Sequence, residues 1–217
     1  MSPLAAVLFD VDGTLVDSND AHAHAWVEAF AEAGITVDFA AVRRSIGMGG
    51  DKLMPAVADL DPESERGKQI SKRRGEIFRD KHLPQLRPFR DADRLVAAIK
   101  ARGLRAVAAS SAKKQELRPL LDVAGAGALL DGATSSDDAE ESKPDPDIVR
   151  AALKEARAAS GEAVMIGDTP YDVEAARRAG VKAIAFRCGG WKDDDLAGAA
   201  AIYDGPWDLL GRLDELN

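Results

Sequence analysis

Residues Leu4 to Phe9 are apolar at every position, and the run stops at Asp10. A segment with no polar alternation cannot leave one face in water, so it suits a strand covered on both sides, as in a parallel sheet flanked by helices. The first strand therefore ends in charge, because Asp10-Val11-Asp12-Gly13-Thr14 follows without a spacer.

The rest of the chain divides in two by periodicity. From Asp20 to Ala33 the apolar spacing is helical, with Ser18, Asn19 or Asp20 placed to cap it and Gly34 to stop it. Helix-like, charged sequence continues to about Leu86 with no strand pattern. After Pro88 strand and helix alternate. Helices are expected over Asp91–Ala101, Lys114–Leu121, Asp147–Ala158 and Asp172–Ala179. Strands are expected over Leu104–Ala109, weakly over Ala128–Leu130, then over Ala163–Ile166 and Val181–Phe186, with a short segment at Ala201–Tyr203. Such alternation predicts βαβ units with right-handed crossovers. The expected fold is α/β, a Rossmann-like parallel sheet core over residues 1–16 and 87–217, interrupted by a helical unit over residues 17–86.

Composition narrows the classes of partner. The 217 residues carry 29 basic and 37 acidic side chains, a formal charge of −8 that disfavours a phosphate backbone as ligand. Cys188 is the single cysteine and has no disulfide partner within the chain, which fits a reducing compartment. No stretch approaches the length of a membrane span, and no basic, apolar leader precedes Asp10. The expectation is a cytoplasmic protein, a monomer or weak homodimer, with no nucleic-acid or membrane partner.

Asp10 and Asp12, Ser110, and Asp168 fall at the carboxyl ends of expected strands, the edge at which open α/β sheets bind ligands. Carboxylates two apart can serve as nucleophile and proton donor, although the same pair suits a turn that caps backbone amides. Gly167-Asp168-Thr169-Pro170-Tyr171-Asp172 adds a second acidic pair. Carboxylates crowded together raise one another's pKa values unless a cation intervenes, and hard oxygen donors suit Mg²⁺. Asp172 also suits the first turn of a helix. Ser110 and the amide of Ser111 can hold a phosphoryl oxygen or cap a helix. Lys143, before Pro144 and Asp145, can place a fixed positive charge beside them or simply face water.

Taken together, DVDGTLVDS at 10–18, Ser110, Lys143 in KPDPD, and GDTPYD at 167–172 resemble the four motifs of the haloacid dehalogenase-like hydrolase superfamily. The helical block resembles the inserted α-helical cap of its phosphoglycolate phosphatase and β-phosphoglucomutase group. The resemblance implies phosphoryl transfer through an aspartyl-phosphate: Asp10 as nucleophile, Asp12 as general acid and base, Ser110, Ser111 and Lys143 on the phosphoryl group. It also implies Mg²⁺ on the Asp10 and Asp168 carboxylates and the Asp12 carbonyl, with Asp172 nearby. The substrate would be a small phosphorylated metabolite.

Both Asp12 and Asp168 being present points away from carbon–halogen cleavage. His22, Ala25-Trp26 and Lys113 are similar to positions in the mutases, yet Gly47-Met48-Gly49-Gly50-Asp51 offers glycine where they hold an arginine for a second phosphate. That difference favours phosphatase over mutase. A non-catalytic binding module is the alternative of another class. His22, His24 and Trp26 read first as packing or surface helix positions and Trp191 as packing, and the acidic run Asp193 to Asp195 is expected to be solvated and to cap a following helix.

Overall fold

The computed structural model describes residues 3–216 and separates them into two compact units, residues up to 17 with those from 87 onward, and residues 18–86. The first unit is built on a parallel sheet whose order is β3-β2-β1-β4-β5-β6. These strands are β1 (Ala6–Phe9), β2 (Arg105–Ala109), β3 (Gly132–Thr134), β4 (Ala163–Gly167), β5 (Lys182–Phe186) and β6 (Ala201–Tyr203). The α/β class read from the alternating pattern is the one observed.

Alternate residues explain how the sheet is covered. Ala6 and Leu8, Val107 and Ala109, Ala163 and Met165, and Ala183 and Ala185 share one buried face with Ile148, Val149, Ala152, Val173 and Ala176. Those partners belong to α7 (Asp147–Ala156) and α8 (Pro170–Ala179), which pack on β2, β3, β4 and β5. Removing the side chain of a leucine or methionine in such a core costs about 2–5 kcal/mol. On β2, α5 (Ala92–Ala101) buries Leu95, Val96 and Ile99 and also meets α9 (Pro206–Gly211). Between β2 and β3 runs α6 (Lys114–Val123).

Two expectations are corrected here. Ala128–Leu130 is a turn, with the Leu129 and Leu130 amides both donating to the Ala126 carbonyl, and β3 follows at Gly132. Asp131 sets this later register, because its carboxylate accepts the Ala106 amide at 2.8 Å while its own amide donates to the Ala106 carbonyl. Asp193 to Asp195 lie in a turn and cap no helix, the next one being α9. Asp195 instead accepts the Lys192 amide, and Asp193 takes the Arg187 guanidinium.

The second unit contains α1 (Asn19–Glu32), α2 (Phe39–Ser45), α3 (Gly50–Ala58) and α4 (Glu65–Ile77). A π-helical turn, Phe78–His82, continues α4, and α1 packs on both α2 and α4. Ser18 occupies the capping position of α1 without a side-chain cap. No helix among the described residues is long and apolar enough to cross a membrane.

Candidate active site

Register brings the chemistry together. Phe9 pairs with Ala108 on β2 and with Ile166 on β4, so these three strands finish level and the next residues emerge along one edge. β1 lies between the two halves of the sheet, where the strand order reverses and a crevice opens at the carboxyl ends. Asp10, Ser110 and Asp168 stand at this edge, at most 6% exposed.

After β1 the chain turns at once. Gly13 has φ 77°, a left-handed conformation that a side chain disfavours, and the loop closes through the Gly13 amide on the Val16 carbonyl and the Leu15 amide on the Val11 carbonyl. The backbone makes this turn, which leaves the Asp10 carboxylate for other partners. Its Oδ1 accepts Lys143 Nζ at 2.6 Å and its Oδ2 the Thr14 hydroxyl at 3.3 Å.

Lys143 is fully buried in the segment between β3 and α7. Its ammonium donates to Asp10 Oδ1 and, at 2.9 Å, to the Ala109 carbonyl, and forms an ion pair with Asp172 Oδ1 at 2.7 Å. Burial by itself would lower its pKa, but the attraction of Asp10 and Asp172 and the hydrogen bonds to them prevail and hold it above the ordinary lysine value. This lysine stays charged.

Asp172 does two jobs. The N-cap of α8 is Thr169, and Asp172 sits three residues on, its Oδ2 accepting the Thr169 amide at 3.0 Å and hydroxyl at 2.7 Å. Its Oδ1 faces Lys143. Capping and ion pairing thus use different oxygens of one carboxylate. Gly167 makes room, since a Cβ there would lie 2.4 Å from the Asp172 Cβ.

Asp10, Asp168 and Asp172 present carboxylate oxygens all within 4.8 Å of one another. Ionised, they carry three negative charges against the one of Lys143. Burial first, and then the three neighbouring carboxylates Asp172, Asp168 and Asp12, outweigh Lys143 and raise the Asp10 pKa well above its ordinary value. The Thr14 hydroxyl lies 3.2 Å from Asp168 Oδ1 as well as near Asp10, and its single proton serves one of them at a time. A divalent cation fits this donor set: hard oxygens and an excess of two negative charges. Asp12 is half-buried and lies outside the side-chain cluster; the turn after β1 takes it off the strand.

Neither Ser110 nor Ser111 caps α6, whose cap position is Lys113. Ser110 Oγ accepts the Ala112 amide at 3.0 Å, and Ser111 is half-buried in the same bend. Trp191 packs edge-on against Tyr171 in the core. In the helical unit His22 stacks on Phe78 at 3.9 Å, His24 is exposed, and Trp26 packs on Phe30 with the Arg74 guanidinium over its ring. Gly50 opens α3 against Trp26, where a Cβ would approach the ring to 3.0 Å.

Sequence reasoning did not single out Thr14 or Thr169, and it read the loop after Phe186, with Gly189, Gly190 and Trp191, as one facing the helical cap and not Asp168. The four-residue step from Asp10 to Thr14 and the capping pattern Thr169-x-x-Asp172 were available signals. The approach of Gly189 to Asp168 had none.

The family model described as "Haloacid dehalogenase-like hydrolase" matches residues 7–186. "Probable phosphatase IndB" of Dickeya dadantii is 30% identical over 202 residues, 92% of this chain and 87% of that protein. A phosphoglycolate phosphatase of Rhodospirillum rubrum is 29% identical over 208 residues, 92% of this chain and 86% of that one. The crystal structure of a hydrolase from Pseudomonas syringae superposes with a TM-score of 0.90 at 29% identity, covering 98% of this chain and 99% of the other.

Proposed function

The chain belongs to the haloacid dehalogenase-like hydrolase family, in its phosphoglycolate phosphatase and β-phosphoglucomutase group, and we propose that it is a Mg²⁺-dependent phosphatase of small organic phosphate monoesters. One observation carries this reading. Asp10 ends the central strand with its carboxylate held by a buried lysine, inside a cluster whose negative charge exceeds what that lysine balances.

In the proposed reaction an Asp10 oxygen attacks phosphorus, the phosphorus–oxygen bond to the alcohol breaks, and Asp12 gives its proton to the departing oxygen. Asp12 then takes a proton from water as that water attacks the aspartyl-phosphate, releasing phosphate and restoring Asp10. Lys143 orients Asp10 and, by exchanging one of its three present contacts, reaches a phosphoryl oxygen. Ser110 and the Ser111 amide border the same position. Asp10, Asp168 and the Asp12 carbonyl would hold Mg²⁺, with Asp172 retained by Lys143 and Thr169. When bound, the ion would supply charge neutralisation that favours the ionised form of Asp10 and would polarise the phosphoryl group.

The glycines at 47, 49 and 50 support phosphatase over mutase, since they provide no guanidinium fork for a second phosphate. The test is phosphate release from a panel of small monophosphates with and without Mg²⁺, run beside Asp10→Asn. Metal-dependent release that Asp10→Asn abolishes is the expected result. Folded protein that releases nothing from the whole panel, or a variant that keeps wild-type turnover, overturns the proposal.

A further inference from the structure

The structure assigns a positioning role to the loop after β5, Arg187 to Gly189: it fixes the Asp168 carboxylate and the Asp10–Asp12 turn relative to each other, and so sets the affinity of the site for its cation. This rests on the metal-dependent reading above. Three successive residues each make a different attachment.

Gly189 is buried against Asp168. A Cβ at this position would lie 1.8 Å from Asp168 Oδ2, 2.4 Å from its Cγ and 2.5 Å from its Cβ. Rotating the carboxylate relieves only the first of these, so either Asp168 shifts as a whole or the loop withdraws. Gly189 is not in the left-handed region, so its backbone would accept alanine, and the entire objection to a side chain is this contact.

Cys188 holds the other side. Its thiol donates to the Gly13 carbonyl at 3.4 Å, in the turn that follows Asp12. Arg187 anchors both: its guanidinium forks onto Asp193 through Nε at 2.6 Å and Nη2 at 2.9 Å, and reaches Asp204 through Nη1 at 2.8 Å. Asp193 precedes β6 and Asp204 follows it, so Arg187 ties the loop to the chain on both sides of that strand. A group that orients a ligand without touching the metal typically alters affinity by about 10- to 100-fold when removed.

The experiment compares wild type, Gly189→Ala, Arg187→Gln and Arg187→Lys by isothermal titration calorimetry with Mg²⁺, reading the concentration at half-saturation from the heat of binding, with the thermal midpoint measured in parallel with and without the ion. For Gly189→Ala the concentration should increase roughly 10- to 100-fold, while kcat at saturating metal changes far less. Arg187→Gln should shift it in the same direction by less, and Arg187→Lys, which keeps the charge but not the fork, should recover part of that shift. If Gly189→Ala fails to fold, the two Arg187 variants carry the test. A lowered midpoint with unchanged half-saturation in the variants overturns the positioning role and leaves a purely structural one. Wild type that neither gains stability from Mg²⁺ nor releases phosphate overturns the underlying phosphatase reading instead.

Discussion

The two units handle charge in opposite ways. In the sheet unit, one ammonium and three carboxylates are withdrawn from water at the end of the central strands. In the helical unit, Arg73 with Glu32, Lys81 with Glu28 and Arg43 with Asp20 pair on the surface, and the interior is filled by rings such as Phe78, Trp26 and Phe30. Exposed pairs contribute little because water already solvates both partners. Burying an ion costs several kcal/mol unless its partners are well placed. A chain that concentrates uncompensated carboxylates in its core has a destabilising feature that a bound proton or a ligand cation relieves, and this contrast locates the chemistry in the sheet unit.

Lys143→Met is the most severe way to test the contrast. It leaves Asp10 and Asp172 buried with no ammonium, and the expected loss is about 3–5 kcal/mol of stability in denaturant titration, together with phosphate release. A variant as stable as wild type would show that the cluster is not paying for its burial.

The two units should also respond to pH with opposite signs. In metal-free protein Asp10 keeps its proton above its ordinary 3.8, for the reasons of burial and crowding given above. The folded state then binds more protons than the unfolded chain, so this contribution is complete below about pH 3.8 and is lost as pH rises through the folded value. In the helical unit, burial first and the His24 ring next lower the His82 imidazole from 6.5. There the folded state binds fewer protons, so the contribution is complete above about pH 6.5 and is lost as pH falls through the folded value. Urea midpoints measured in EDTA across pH, as differences from Asp10→Asn and from His82→Gln, should slope in opposite directions. Mg²⁺ should flatten the first difference and leave the second alone.

Thr14→Val tests the shared hydroxyl, which lies between Asp10 and Asp168. The nearly isosteric change should lower stability by about 1 kcal/mol and turnover by roughly fivefold, measured by urea titration and phosphate release. Arg73→Ala should do least. Both of its carboxylate partners, Glu32 and Glu76, are at the surface, so the thermal midpoint should stay near wild type and turnover should be unchanged.

How much of this was legible beforehand depends on the range of the interaction. Strand ends were readable because Phe9 to Asp10 and Gly167 to Asp168 are abrupt changes of polarity along the chain. β3 was not, because Ala128–Leu130 is as apolar as a strand, and a three-residue edge strand takes its place from the pairing of Asp131 with Ala106. The roles of Asp172 were left open, since N-terminal capping is local and visible while the reach to Lys143 spans 29 residues.

The sequence alone determined the parallel α/β class, the helical insertion and the residues gathered at the strand ends, because period and polarity act between near neighbours. Tertiary structure alone decided that Lys143 is held by Asp10, Asp172 and the Ala109 carbonyl, and that Gly189 lies against Asp168. Those contacts depend on strand register and loop approach, and the free energy of a buried charge is fixed by what surrounds it in space, which no local pattern of residues encodes.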